Sequence, residues 1–404
     1  MYKKALASLS LLFFMFGFLT CLNDILVPFL KDLFKLDYSQ AALVQFCFFG
    51  AFGLTALPAS KVVERVGYKT GIVIGLVVAA VGCLLFYPAV ILNKYGLFLF
   101  ALFVLATGIV QLQVAGNPFV SHLGPKDSSS SRLTMVQAFN SFGTFLAPFF
   151  GAYFILAKLE NSVGSNRIIY PYVLLAFILA ALALLFRTIE FPAVEAAREN
   201  KSSAGQILRQ PNVILGMIAV FAYVGAEVSI GSFLINYVVE LTPMPKTQAA
   251  NLVAIYWCGA MAGRFIGIFT LKEFAPGRVL SVHGMLAIAL ILISVNSKGL
   301  MSIYSMILVG FCNSIMFPSI FTISIRNLTS SESQKASGLL TTAIIGGALI
   351  PVFTGMIADS HGLRIAFSLP ILCYGYITLF GLRNVKALAS EKALPIDCQR
   401  YPQP

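Results

Sequence analysis

The 404-residue sequence predicts an all-α integral membrane protein of twelve transmembrane helices in two six-helix bundles, and three observations carry that reading. Hydrophobic residues make up 58% of the chain and charged residues only 11%, far from the balance of a soluble domain. Apolar stretches long enough to cross a bilayer at about 20 residues each recur along the whole chain. The longest polar stretch, 187–211, divides them six and six. The mean hydropathy of +0.86 agrees with a polytopic chain.

The predicted spans are 6–30, 41–60, 70–92, 96–121, 133–157, 168–186, 212–239, 248–271, 278–296, 299–325, 335–358 and 364–382. They give an N-terminal bundle over 1–186, a linker over 187–211, a C-terminal bundle over 212–383 and a tail over 384–404. The linker carries Pro192 and a Ser-Ser-Ala-Gly run with room for one interfacial helix. Lys3 and Lys4 before the first span suggest a signal peptide. That stretch is too long, holds an acid and runs into Pro28, so it is kept as a span.

The net charge of +12 invites a nucleic-acid reading, which its distribution contradicts. With the N-terminus inside, 19 of the 28 Lys and Arg fall on the cytoplasmic side and eight outside, with Arg264 left in a span. This asymmetry orients both termini to the cytoplasm of a cell inner membrane and leaves no nucleic-acid partner to explain. The seven cysteines lack metal-type spacing and read as small packing residues.

Span one, LLFFMFGFLTCLNDILVPFL, carries Asn23 and Asp24 in apolar surroundings. A carboxylate there costs several kcal/mol, on the order of 3 or more, unless it faces a bundle interior or snorkels from a helix end. Asp24 is therefore the first candidate for a coupling acid. Span two contributes Gln45, and the basic loop SKVVERVGYKTG follows with Glu64, Arg65 and Lys69. These charges fit a latch onto neighbouring helix ends, and they equally fit a plain positive-inside loop. Span four carries Gln111, Gln113 and Asn117-Pro118. Span five adds Gln137 and Asn140 on one face. Seven amides in the first half favour a polar cavity over packing alone.

Span seven places Glu227 near its middle and Asn236 further on, beside Tyr223. Glu227 is a second coupling candidate, with a structural pair to Arg264 of span eight as the alternative. Trp257, the sole tryptophan, suits either a sugar face or an interfacial anchor. Span ten adds Asn313. His122, His283 and His361 fall in or beside loops and read as solvated. The halves echo each other: Arg132 stands 16 residues before Pro148 and Lys335 16 before Pro351, with Gly143 and Gly346-Gly347 between. Asn117-Pro118-Phe119 answers Phe317-Pro318-Ser319. Such repeats house a midplane site at their interface.

The motifs LNDILVPFL, QFCFFGAF, NPFVSHLGP, QAFNSFGT, YVGAEVSIGSFLINY, GRF and FPSIFTISIRNL resemble the fucose permease family of the major facilitator superfamily and, within it, the bacterial glucose/galactose permeases. The likeness runs from about residue 8 to 382. It implies a sugar:proton symporter with a central cavity, in which Asn23-Asp24 matches the family's proton-carrying pair and Gln137 and Asn140 match sugar-contacting amides. Gln113 stands where the fucose-transporting branch has a glutamate, so fucose is not the expected substrate. Ser60 and Glu64 depart from the usual glycine and aspartate of the loop after span two. A sodium-dependent relative leaves H+ or Na+ open as coupling ion.

The sequence thus anticipates a hexose transporter that works as a monomer, with Asp24 and Glu227 carrying the ion. Asn23, Gln45, Gln113, Asn117, Gln137, Asn140, Tyr223, Asn236, Trp257 and Asn313 would surround the sugar. Glu64, Arg65, Lys69 and Arg264 serve gating. An uncoupled facilitator or a sensor of another polar solute is the alternative. No catalytic constellation, metal-ligand spacing or phosphate-binding loop appears, so neither an enzyme nor a cofactor is expected.

Overall fold

The computed structural model describes residues 2–35, 38–151, 169–189, 204–242 and 246–392, and all regular elements among them are helical. The first half holds α1 (Tyr2–Phe34), α2 (Tyr38–Leu92), α3 (Tyr95–His122), α4 (Ser129–Gly151) and α5 (Ile169–Thr188). A short α6 (Ala204–Ile207) follows. The second half holds α7 (Pro211–Leu241), α8 (Lys246–Glu273), α9 (Pro276–Asn296), α10 (Gly299–Asn313), α11 (Met316–Ile325), α12 (Ser330–Thr342), α13 (Gly346–His361), α14 (Leu363–Ala366) and α15 (Ser368–Lys392).

Ten stretches among the described residues are long and apolar enough to cross a membrane. The α2 stretch contains two of the expected spans, and α4, softened by its amides and serines, supplies the remaining one. The twelve-span count is consistent with this architecture. Large apolar side chains such as Phe177, Leu184, Leu372 and Leu379 are exposed, as lipid-facing residues must be.

Several expected boundaries move. The loop after span two shrinks to a single kink in α2 at Gly67 (φ 81°, ψ 169°), a backbone that glycine tolerates at little cost. Span ten is broken between Asn313 and Met316 into α10 and α11. Span eleven starts early, at a capping box in which Thr329 accepts from the Glu332 amide and Glu332 accepts from the Thr329 amide. It is then interrupted by a 3-10 turn at Ala343–Ile345. The tail expected from residue 384 is still helical to Lys392; 393–404, with Cys398, lie outside the described residues, as does 190–203 of the linker.

The internal echo has a packing counterpart. In the first half α1 packs along α4, and in the second α7 packs along α13. A Cβ on Gly143 would overlap the Phe14 carbonyl, and one on Gly346 would overlap the Phe221 carbonyl. Corresponding glycines thus permit the same close crossing in each half. Across the halves, α4 packs on α8 while α12 packs on α2 and α3.

Candidate functional site

The halves meet most firmly at the end bearing the basic loops. Glu64 of α2 pairs with Lys335 of α12 at 2.9 Å, and Asp127 approaches Arg326 at 3.9 Å. The Tyr68 hydroxyl donates to the Ser330 carbonyl at 3.1 Å, Ser131 Oγ to the Ile268 carbonyl at 2.7 Å and Ser337 Oγ to the Val114 carbonyl at 3.0 Å. Ser130 and Thr322 share a short hydroxyl contact. Arg132, the first-half counterpart of Lys335, donates to the carbonyls of Val120, Ser121 and Pro125 and to Ser128. It thereby ties down the acceptor-rich C-terminal end of α3.

Of the expected latch residues, Glu64 alone makes an ion pair among the described residues. Arg65 is exposed and Lys69 half-buried. Lys335 entered the sequence reading only through its repeated position. Its place in the first half of α12, at the seam, gives it the role expected of the loop cations.

Above this seal lies Arg264 of α8. Its Nε donates to the Ser314 carbonyl at 3.2 Å, and its Nη1 reaches across the halves to the Gln137 carbonyl at 3.4 Å and to Ser141 Oγ. Glu227 lies within electrostatic reach of Arg264 and faces the Tyr223 hydroxyl, yet no Glu227–Arg264 ion pair forms. Arg264 is engaged instead with α4 and Ser314, and Glu227 Oε1 is buried without a hydrogen-bond partner. Ser141, one turn beyond Gln137 on the same face, was not anticipated; it stands out in the sequence only by that spacing.

The amides divide into two groups. Gln113 of α3 and Gln137 of α4 retain slight exposure, 9% and 6%, and their side chains bond to no described residue. They are free to bind a polar solute. The others are used in packing or sealed away. Asn140 donates to the Phe13 carbonyl at 3.1 Å and binds α4 to α1. Gln111 donates to the Gly71 carbonyl at 3.4 Å. Asn117 is 0% exposed, with both side-chain atoms lacking a protein partner, so in this conformation it cannot contact a sugar.

Asn313, also 0% exposed, is a structural node. The Tyr374 hydroxyl donates to its Oδ1 at 2.7 Å, its Nδ2 donates to the Tyr256 hydroxyl at 2.8 Å, and Tyr256 in turn donates to the Glu227 carbonyl at 3.3 Å. With donor and acceptor both used, its amide has little left for a solute. Tyr223 is buried and Asn236 exposed. Trp257 is 39% exposed and packs edge-on against Tyr256 at 5.2 Å. The side chains of Asn23, Asp24 and Gln45 lie outside the described residues; their backbones are helical in α1 and α2.

The histidines correct the sequence reading. His283 Nδ1 lies 3.0 Å from the Cys312 carbonyl, with its ring stacked on Phe311, and His122 Nε2 is buried without a partner. His361 is exposed, as expected.

A multi-pass helical membrane protein with two matching halves, sealed at one end and carrying unpartnered amides in its interior, is built as a solute transporter rather than an enzyme. The model of the Major Facilitator Superfamily matches residues 9–344, and the chain belongs to that family. A relative from Brucella abortus, named a glucose/galactose transporter, is 47% identical over 96% of this chain and 95% of its own length. The L-fucose-proton symporter of Escherichia coli is 33% identical over 94% of this chain and 92% of its own. A crystal structure of FucP in the outward conformation is 32% identical, covers 95% of this chain and 99% of its own, and superposes with a TM-score of 0.87.

Proposed function

We propose that the chain imports a hexose, glucose or galactose, by proton symport with alternating access between bundles 1–186 and 212–383. The observation that carries this reading is the near full-length likeness, at 47%, to a protein named a glucose/galactose transporter. The proton is suggested by the symporter named for Escherichia coli.

The geometry supplies a working arrangement. The basic loops face the cytoplasm of the inner membrane, so the sealed end is the cytoplasmic one and the solute enters from outside. Gln113 and Gln137 bond to sugar hydroxyls, because an amide both donates and accepts as a hydroxyl does. Arg264, fixed to the Gln137 carbonyl, positions that amide. Trp257 offers its exposed face to the ring. Asp24, in the C-terminal third of α1, takes up a proton from the outer side, and neutralisation removes the cost of occluding a charge before the bundles rock. Glu227 serves as the second titratable group. The chain works as a monomer in the bilayer.

The test is labelled-hexose uptake into proteoliposomes driven in turn by a pH gradient and a sodium gradient. Accumulation of glucose or galactose under the pH gradient supports the reading. Accumulation under sodium alone replaces the coupling ion, and equilibration without accumulation under either gradient makes the protein a facilitator.

A further inference from the structure

Two prolines leave carbonyls without their helical donors at the seam between the halves. Pro118 has no N–H, so the Val114 carbonyl, four residues back in α3, loses its in-helix partner. Ser337, on α12 of the opposite half, donates to that carbonyl at 3.0 Å. Pro318 answers Pro118 in the second half, and four residues before it stands Ser314, between α10 and α11. The Ser314 carbonyl accepts from Arg264 Nε, while Arg264 Nη1 crosses to the Gln137 carbonyl and Ser141. The two places differ in their donors: Val114 is satisfied from the opposite half by Ser337, and Ser314 from its own half by Arg264, whose other nitrogen crosses above the seal.

We infer that the proline-freed Val114 carbonyl is a latch point of the cytoplasmic seal, with Ser337 as the positioning residue that closes it. An unpaired carbonyl buried in protein is costly. It therefore favours the closed seam only where Ser337 supplies the missing donor. When the seam parts, water can take the same place, so opening forfeits the latch without stranding a backbone group. Asn117 and Thr134 are fully buried with no protein hydrogen-bond partner for their side chains. Thr134 stands two residues after Arg132 as Ser337 stands two after Lys335. The Ser337 bond is replaceable by water, which suits a gate that must open in every cycle. The inference deepens the transporter reading and rests on it.

The test is hydrogen–deuterium exchange of 330–342 in the intact protein, in a double-mutant cycle of Ser337→Ala with Pro118→Ala. Pro118→Ala restores the in-helix N–H, so Ser337 then has little left to contribute. Removing one hydrogen bond should raise exchange about fivefold in the native background and less than about twofold beside Pro118→Ala. Ser337→Thr should keep protection and the similarly shaped Ser337→Val should lose it, a comparison that stands even if Pro118→Ala folds poorly. An equal rise in both backgrounds, no rise at all, or equal protection in the Thr and Val variants would overturn the latch. Hexose counterflow on the same preparations separates the two readings. Exchange that follows Ser337 in a protein moving no hexose keeps the latch and discards the substrate; hexose flux with exchange indifferent to Ser337 does the reverse.

Discussion

Glu64 and Lys335 meet at 2.9 Å although 271 positions apart, one on the last turns before the Gly67 kink and the other in the first half of α12. The pair spans the two halves at the sealed end, with side-chain exposures of 34% and 14%. Solvent at Glu64 limits such a pair to about 1 kcal/mol or less. Lys335→Glu faces two acids across the seam and should slow uptake about fivefold, whereas the swap Glu64→Lys with Lys335→Glu should recover most of the rate. Initial rates of hexose uptake check both, and a swap no better than Lys335→Glu alone would assign Lys335 to another partner.

Gln113 and Gln137 should behave as solute ligands. Gln113→Ala or Gln137→Ala each removes one or two hydrogen bonds to a hydroxyl, so the KM for hexose should rise about tenfold while the protein melts as before. Uptake kinetics beside thermal melting in detergent decide it.

Asn313 should behave in the opposite way. Asn313→Ala strands the Tyr374 hydroxyl and removes a donor to Tyr256 in the core of the second half, and should cost about 1–3 kcal/mol of stability. The expected result is a lower Tm with the hexose KM unchanged. A raised KM at constant Tm would return Asn313 to the solute site.

Gly143 and Gly346 should be equally intolerant of bulk. Gly143→Val or Gly346→Val pushes a side chain into the carbonyl of Phe14 or Phe221 and should cost about 1–3 kcal/mol or more. Both variants should show reduced yield of folded protein on size-exclusion chromatography, and a difference between them would mean that the two crossings are not equivalent.

Much of this architecture is legible in the sequence, for reasons that differ by feature. The spans follow from hydrophobic length, and the echo of Gly143 and Gly346 follows from their fixed distance to proline. The site is less legible because an amide in a membrane helix has two uses that look alike in sequence. Asn140 and Gln137 are three residues apart on one helix, yet the side chain of one bonds the Phe13 carbonyl of α1 and that of the other bonds no described residue; which faces which is settled by the crossing of α1 and α4. Asn313 reads as a ligand in sequence, and the structure sets its amide between the hydroxyls of Tyr256 and Tyr374. The Glu64–Lys335 pair was half legible: the acid stood out in its loop, and its partner stood out only as a repeated cation. His283 misled because it stands near a predicted span end, while the structure places it in the second turn of α9 against α10.

Asp24 of α1 should couple hexose to the proton. The most direct measurement compares wild type with Asp24→Asn in proteoliposomes, reading accumulation under an inward pH gradient and hexose exchange without a gradient. Asp24→Asn should abolish accumulation while exchange persists, because a permanently neutral residue lets the loaded carrier rock but carries no proton. Undiminished accumulation by Asp24→Asn would contradict it and move the coupling role to Glu227 or to another ion.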